Sequence, residues 1–287
     1  MDAPGAERIR LTGGGFAMGD AVGEGYPADG EVPVHPVVLS PFDVDATAVT
    51  NAEFAAFVAA TGYVTDAQRY GSSAVFGLLV PPEVPQAPLA ATPWWSEVPG
   101  AYWRAPFGPG SGIDDRHDHP VVHVSAHDAQ AYCTWAGRAL PTEAQWEYAA
   151  RGGLEGARFP WGDAPPTGER VNIFRGGFPD APTEPVGTRP VRTFRPNGYG
   201  LFQTVGNVWE WCADRYSART YARAAAGPPA TDPAGPDAGR SRVLRGGSYL
   251  CHDSYCRRYR VAARSHNTPA TSTGNIGFRT VSPPAPH

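Results

Sequence analysis

The sequence of 287 residues has only four cysteines, no run of basic residues and no long apolar segment. Four cysteines are too few for a disulfide scaffold in a chain of this size. The 24 basic and 28 acidic residues give a net charge of −4, so we expect no nucleic-acid partner. No apolar run approaches the roughly 18 residues of a membrane span. The N-terminus also has no apolar signal-peptide core, so we expect a cytoplasmic protein without membrane contact.

Glycine and proline are abundant, at 34 and 31 residues, beside 41% apolar residues and eight tryptophans. The first two favour turns and loops, whereas the apolar and aromatic residues supply a folded core. Together they predict one folded domain with little regular secondary structure. We expect residues 1–10 to be a flexible N-terminus, residues 11–280 to be the domain, and residues 281–287 to be a frayed tail.

Three segments carry a helix-start signal followed by an apolar stripe. The first follows Thr50, with Glu53 three residues later, and the others follow Ser125 and Thr142. Short strands are predicted at residues 13–19 and 35–39, and an irregular aromatic-rich segment at residues 71–118.

The cysteines at positions 251 and 256 are separated by four residues, in the run Gly-Gly-Ser-Tyr-Leu-Cys-His-Asp-Ser-Tyr-Cys of residues 246–256. Two thiolates so close together can hold a soft ion such as Cu(I) or Zn(II). Zinc would need four ligands, and His252 is the single nearby candidate for a third. On spacing alone, a disulfide or two unrelated thiols remains open.

Two further segments offer oxygen ligands for a hard cation such as calcium. One contains Gly206, Val208 and Glu210, where backbone carbonyls and a carboxylate lie close in sequence. The other, weaker segment contains Asn172 and Ile173, with acidic residues shortly after them. The alternative for both is a turn that leads into the core.

Four histidines cluster in the sequence, at positions 117, 119, 123 and 127. With Asp118 or Asp128 they suggest a possible iron site of two histidines and one carboxylate. The alternative, which we favour, is that they are structural or surface histidines held by hydrogen bonds.

Several blocks together resemble the sulfatase-modifying-factor superfamily, from about Leu11 to Arg279. They are Asp-His-Pro-Val-Val-His-Val-Ser (118–125), Ala-Leu-Pro-Thr-Glu-Ala-Gln-Trp-Glu-Tyr (139–148), Asn-Gly-Tyr-Gly-Leu (197–201), Gly-Asn-Val-Trp-Glu-Trp (206–211) and Gly-Phe-Arg (277–279). The resemblance implies a single α+β domain of the C-type-lectin-like fold. Residues 246–256, with Tyr-Arg at 259–260 and Ala-Ala-Arg-Ser-His-Asn-Thr-Pro at 262–269, are similar to the formylglycine-generating branch.

That resemblance implies the oxidation of a cysteine to Cα-formylglycine with dioxygen and an external thiol reductant. Cys251 and Cys256 would bind Cu(I), with Cys251 as the thiol that exchanges with the substrate. Ser248 and Trp209 match positions that line the oxygen pocket, and His252 and Asn275 match positions beside the site.

The same resemblance implies two calcium sites and a protein substrate. The calcium residues would be Asn172, Ile173 and Glu184 for the first site, and Gly206, Val208 and Glu210 for the second. Gln203 stands where the family usually has asparagine. The substrate would be an unfolded segment of a sulfatase with the motif Cys-x-Pro-x-Arg, and we expect a monomeric enzyme.

Two positions that carry bridging cysteines in secretory-pathway members are Val261 and Thr280 here. Cys133 and Cys212 are therefore expected to be buried free thiols, which agrees with a reducing cytosol. Two alternatives to the oxidase remain. One is an iron-dependent sulfoxide synthase of the same superfamily, and the other is a non-catalytic paralogue that binds peptides.

Overall fold

The structure, a computed structural model, describes residues 7–283. Its helices are α1 (Asn51–Thr61), α2 (Asp66–Tyr70), α3 (Ala126–Ala136), α4 (Glu143–Arg151) and α5 (Thr220–Ala225). Its strands are β1 (Arg8–Leu11), β2 (Gly14–Met18), β3 (His35–Leu39), β4 (Phe42–Asp45), β5 (Ser72–Phe76), β6 (Ala87–Leu89), β7 (Thr92–Pro99), β8 (Gly176–Gly177), β9 (Ala181–Pro182), β10 (Trp209–Arg215), β11 (Ala230–Thr231), β12 (Arg242–Arg245), β13 (Arg264–Asn267) and β14 (Ile276–Gly277). The α+β class predicted from the sequence is confirmed, and long loops join most of these elements. Within the described residues, no helix has both the length and the apolar character needed to cross a bilayer.

The three predicted helices are confirmed, each with a complete capping box. The hydroxyls of Thr50, Ser125 and Thr142 each accept a hydrogen bond from the backbone N–H of the third helical residue. The side chain of that third residue accepts a hydrogen bond from the backbone N–H of the cap residue. The sequence interpretation did not include α2, although Thr65 and Gln68 form the same box at its start.

The central sheet has four strands in the order β13-β12-β10-β14. Strands β10, β12 and β13 are antiparallel, whereas the short β14 runs parallel to β10. Trp209 lies opposite Ile276 in this parallel pair, and its N–H donates to the carbonyl of Asn275 at 2.9 Å. The last part of the chain therefore lies beside the start of β10.

The prediction that residues 71–118 are irregular was wrong for residues 72–99, which contain three strands. Strands β5, β7 and β6 form a three-stranded antiparallel sheet, in that order. Val75, Phe76 and Val98 are fully buried there. Prolines and glycines in this segment disfavour strands. The free energy gained by burying the apolar side chains outweighs this preference.

Both predicted domain boundaries need correction. Residues Arg8–Leu11 form strand β1, which pairs antiparallel with β4, so the ordered domain begins before Leu11. At the other end Val281 is buried and bridges to Val44 and Ala139, because its apolar side chain completes a small core. The remaining parts of the expected flexible ends, residues 1–6 and 284–287, lie outside the described residues.

Buried ion pairs join helix α4 to the central sheet. Arg245 of β12 contacts Glu143 at 3.0 Å and Glu147 at 2.5 Å, and Arg264 of β13 contacts Glu143 at 2.6 Å. All four side chains are almost inaccessible to solvent. Removing one partner would leave an uncompensated charge in the core, so these pairs fix the position of α4.

Asp214 of β10 is a buried carboxyl near the same helix. Its Oδ2 accepts the N–H of Glu143 at 2.7 Å. Burial and repulsion from Glu143 raise the pKa of Asp214 to about 7. The folded pKa lies above the unfolded value of about 3.9. The contribution of Asp214 to the free energy of unfolding is therefore complete below about pH 4. Its contribution is then lost as pH rises to 7.

The variant Asp214→Asn is expected to lack this pH dependence, because a neutral amide has no charge to bury. The difference in unfolding free energy between variant and wild type should grow by about 2–3 kcal/mol between pH 5 and pH 8, in favour of the variant. Denaturant titrations at both pH values measure it, and the exposed Asp115→Asn is the control. A difference that stays constant with pH would contradict the assignment.

Candidate active site

The predicted cysteine loop leaves the sheet at the end of β12. Gly246 and Gly247 have positive φ angles of 93° and 71°, which glycine adopts without strain. A Cβ on Gly247 would lie 3.1 Å from the Cys251 sulfur and 2.9 Å from the Arg258 carbonyl. The close approach of the two ends of the loop therefore requires glycine at position 247.

Cys251 and Cys256 face each other across this loop, with their sulfurs 3.1 Å apart. Both are free thiols, and both are buried. Their mutual hydrogen bond lowers the pKa of Cys256, and the Arg258 guanidinium adds to this effect. Burial, together with that same bond, raises the pKa of Cys251. When one thiol of the pair loses its proton, the thiolate is therefore favoured at Cys256.

Arg258 is held beside the pair by residues far away in the sequence. Its Nη1 lies 3.8 Å from the Cys256 sulfur, and its Nε and Nη2 donate to the Asp29 carboxylate at 2.5 and 3.1 Å. The guanidinium also lies 4.3 Å from the centre of the Tyr26 ring. The sequence interpretation did not include Arg258 in the site, because its partners lie in a different segment.

The predicted residues Ser248 and Asn275 are brought together on the other side of the pair. The Asn275 amide nitrogen donates to the Ser248 hydroxyl at 2.9 Å, and the Ser248 backbone N–H donates to the Cys251 sulfur at 3.4 Å. The Thr273 hydroxyl donates to the Asn275 amide oxygen at 2.7 Å. Trp209 belongs to the same buried apolar cluster as both cysteines.

His252 follows Cys251 in the chain, and its ring lies in an aromatic rim beside Phe178. This rim consists of Trp94, Phe178, His252 and Tyr255. Phe178 and Tyr255 stack at 4.6 Å between ring centres, and Trp94 meets Tyr255 edge-on at 4.9 Å. Tyr255 is 37% exposed. The sequence interpretation missed the rim because β7, the β8–β9 hairpin and the cysteine loop each supply part of it.

The residues of the first expected calcium site come together in part. The Asn207 N–H donates to the Asn172 carbonyl at 2.8 Å, so the two predicted calcium segments are adjacent. Ile173 and Val208 are buried and offer carbonyls alone. The Glu184 carboxylate is half-exposed and pairs with Arg189 at 3.2 Å. Gly206 packs directly against the Asn172 carbonyl, because a Cβ at position 206 would lie only 2.6 Å from that oxygen.

The Glu210 carboxylate, which the sequence suggested as a calcium ligand, is held in the core by two side chains. Arg279 Nε donates to Glu210 Oε2 at 2.6 Å and Arg279 Nη2 donates to Oε1 at 2.8 Å. The Trp146 indole donates to Oε2 at 2.7 Å. These three donors leave one acceptor position on Oε1, so Glu210 forms a buried ion pair and its role as a calcium ligand stays a prediction.

The clustered histidines serve separate contacts and do not converge. The fully buried His123 uses both ring nitrogens, with Ser73 and Pro106 as partners, and burial lowers its pKa to about 4. His127 pairs with Asp66 at 2.9 Å. Among residues 7–283, no three side chains of His, Cys, Asp or Glu gather into a metal cluster. The structural role stated as the alternative for the histidines is therefore the one the structure supports.

The family of the chain follows from its match to a family model. The model for the sulfatase-modifying factor enzyme 1-like domain covers residues 2–283, and the chain belongs to this family. The formylglycine-generating enzyme of Streptomyces coelicolor is 61% identical over 95% of this chain and 88% of its own length. That of Thermomonospora curvata is 56% identical over 96% and 93%.

Two other comparisons limit what family membership implies. A mouse protein named inactive C-alpha-formylglycine-generating enzyme 2 is 43% identical over 96% of this chain and 85% of its own length. The solved structure of PvdO from Pseudomonas aeruginosa has a TM-score of 0.67 at 23% identity, covering 96% and 93% of the two chains. At that identity the likeness supports the fold alone. Activity must therefore be argued from the residues of the site.

Proposed function

We propose that this protein oxidises a specific cysteine to Cα-formylglycine, in a Cys-x-Pro-x-Arg segment of a sulfatase or related protein. The observation that carries the proposal is the buried pair of free thiols, 3.1 Å apart, beside the exposed edge of the aromatic rim. The site belongs to a chain 61% identical to a formylglycine-generating enzyme. The four free cysteines agree with a reducing cytoplasm, which we propose as the location.

The donor set fits Cu(I) as the cofactor. Two thiolates suit a soft monovalent ion, and Cys251 and Cys256 would hold it. When bound, copper would supply the electron transfer to dioxygen that a protein side chain cannot provide. Arg258 places a fixed positive charge beside Cys256, which favours the thiolate form needed for metal binding.

The remaining residues would bind the substrate and control protons. The rim of Trp94, Phe178, His252 and Tyr255 offers aromatic faces to a proline or an arginine of the segment. The Ser248 hydroxyl, held by Asn275, would donate its proton towards the reacting atoms. Trp209 would help to keep bulk water out of this apolar cluster.

The overall reaction balances with one dioxygen and two electrons from a thiol reductant. The substrate side chain changes from CH₂–SH to CHO, and its sulfur leaves as hydrogen sulfide. One oxygen atom enters the aldehyde and the other becomes water. The reductant supplies two electrons and two protons, and is itself oxidised to a disulfide.

A peptide assay tests the proposal. A Cys-x-Pro-x-Arg peptide incubated with the protein, Cu(I), a thiol reductant and air should lose sulfur and two hydrogens and gain one oxygen. Mass spectrometry detects this change, and a hydrazide traps the aldehyde. A matched peptide with serine in place of cysteine is the control. An unchanged peptide with copper bound would overturn the proposal and favour a non-catalytic peptide-binding role.

We further propose that calcium is bound by oxygen atoms near the adjacent segments 172–173 and 206–208, with Glu184 at the edge. Gln203 supports an oxygen site there, because its amide oxygen is buried without a hydrogen-bond partner among the described residues. Calcium prefers such neutral and anionic oxygens. A rise in thermal midpoint with added calcium, reversed by a chelator, would support this site.

A further inference from the structure

Ser248, Asn275 and Thr273 form a hydrogen-bonded chain that ends at the cysteine loop. Thr273 donates to the Asn275 amide oxygen at 2.7 Å, and the Asn275 amide nitrogen donates to Ser248 Oγ at 2.9 Å. The Leu250 N–H also donates to Ser248 Oγ, at 3.3 Å. Ser248 is fully buried and Asn275 nearly so.

The direction of these bonds decides what the Ser248 proton can do. A serine hydroxyl has two acceptor positions and one proton. Asn275 and Leu250 occupy both acceptor positions, so the proton is free for a partner beside the cysteine pair. If the Asn275 amide moved away, Ser248 would lose this donor and its proton would no longer be directed towards the pair.

Thr273 holds the Asn275 side chain in this position, because its hydroxyl satisfies the buried amide oxygen. We propose that Thr273 is a positioning residue for the oxidation, which keeps the Asn275 amide oriented so that Ser248 donates to the reacting atoms. The inference rests on the proposed function, in which Ser248 lines the oxygen pocket.

The Thr273 hydroxyl is not what holds this segment in place. Backbone bonds do so: the Gly274 N–H donates to the Ala74 carbonyl at 2.9 Å, and the His123 N–H donates to the Thr273 carbonyl at 2.9 Å. The Tyr249 hydroxyl donates to the Gly274 carbonyl at 3.0 Å. Removing the hydroxyl alone therefore leaves the backbone of residues 273–275 anchored.

The variant Thr273→Val tests the inference, since valine has the same shape without the hydroxyl. Its kcat on the peptide should fall about tenfold, the size expected for one lost hydrogen bond, while KM stays unchanged. Thr273→Ser, which restores the donor, should regain most of the wild-type kcat. Cu(I) affinity, measured by competition with a chelator, should be the same in all three proteins.

A double-mutant cycle separates a role through Ser248 from a general structural role. If Thr273 acts through Ser248, adding Thr273→Val to Ser248→Ala should cause no further loss of kcat. Additive losses, an unchanged kcat in Thr273→Val, or no recovery with serine would each overturn the inference. A wild-type protein that leaves the peptide unchanged would instead contradict the proposed function itself.

Discussion

Replacing either Cys251 or Cys256 with alanine is expected to abolish the conversion of the peptide. Each variant keeps one thiol of the pair whose sulfurs lie 3.1 Å apart, and one thiolate cannot retain the proposed ion at this site. The loss of several kcal/mol of catalytic stabilisation corresponds to at least about a 1,000-fold fall in kcat/KM. Peptide turnover and Cu(I) stoichiometry, measured on the same samples, check the result.

Cys133→Ala is the matched control, because Cys133 is also a buried free thiol. Burial raises its pKa to about 12, so it remains a neutral thiol and packs in the core. This variant should keep wild-type copper stoichiometry and kcat/KM. Full activity in either variant of the pair, or copper lost on replacing Cys133, would contradict the assignment.

Glu210→Gln is expected to cause the largest loss of stability among the changes considered. The amide keeps an acceptor for Trp146 but leaves the buried Arg279 guanidinium without its counter-charge. Breaking such a pair costs about 3–5 kcal/mol of unfolding free energy. Denaturant unfolding in calcium-free buffer measures this loss. The exposed pair of Glu7 and Arg192 supplies the control, since Glu7→Gln should cost less than about 1 kcal/mol.

A second variant distinguishes an ion pair from a calcium ligand at Glu210. Glu210→Gln combined with Arg279→Met removes both charges, so part of the lost stability should return. If Glu210 instead served calcium through its carboxylate, Glu210→Gln would match the wild type in chelator. It would then differ only when calcium is added.

Local signals in the sequence were sufficient to predict three of the five α-helices within residues 7–283 and the cysteine pair. The caps at Thr50, Ser125 and Thr142 act within four residues, so their patterns are visible without the fold. Cys251 and Cys256 are neighbours in sequence, and the structure places their sulfurs in contact.

The surroundings of the cysteine pair could not be predicted in the same way. Arg258 meets Asp29 across 229 positions of sequence, and the aromatic rim combines three separate segments. Nothing in the local sequence distinguishes Asp29 from the other acidic residues. The ion pair of Glu210 was missed for the same reason, because its partner Arg279 lies 69 positions away.

The buried arginines near the C-terminus imply a constraint on the order of folding. Arg264 meets Glu143 across 121 positions, and Arg279 meets Glu210 near the end of the chain. During synthesis Glu143 and Glu210 leave the ribosome before these arginines do, and their carboxylates stay solvated until then. The buried core can therefore form only late in synthesis. Asn275 arrives in the same final stretch. An interrupted translation product that ends before it would have neither a closed core nor a complete site. It would be removed as an unfolded chain and could not act as a partly active oxidase.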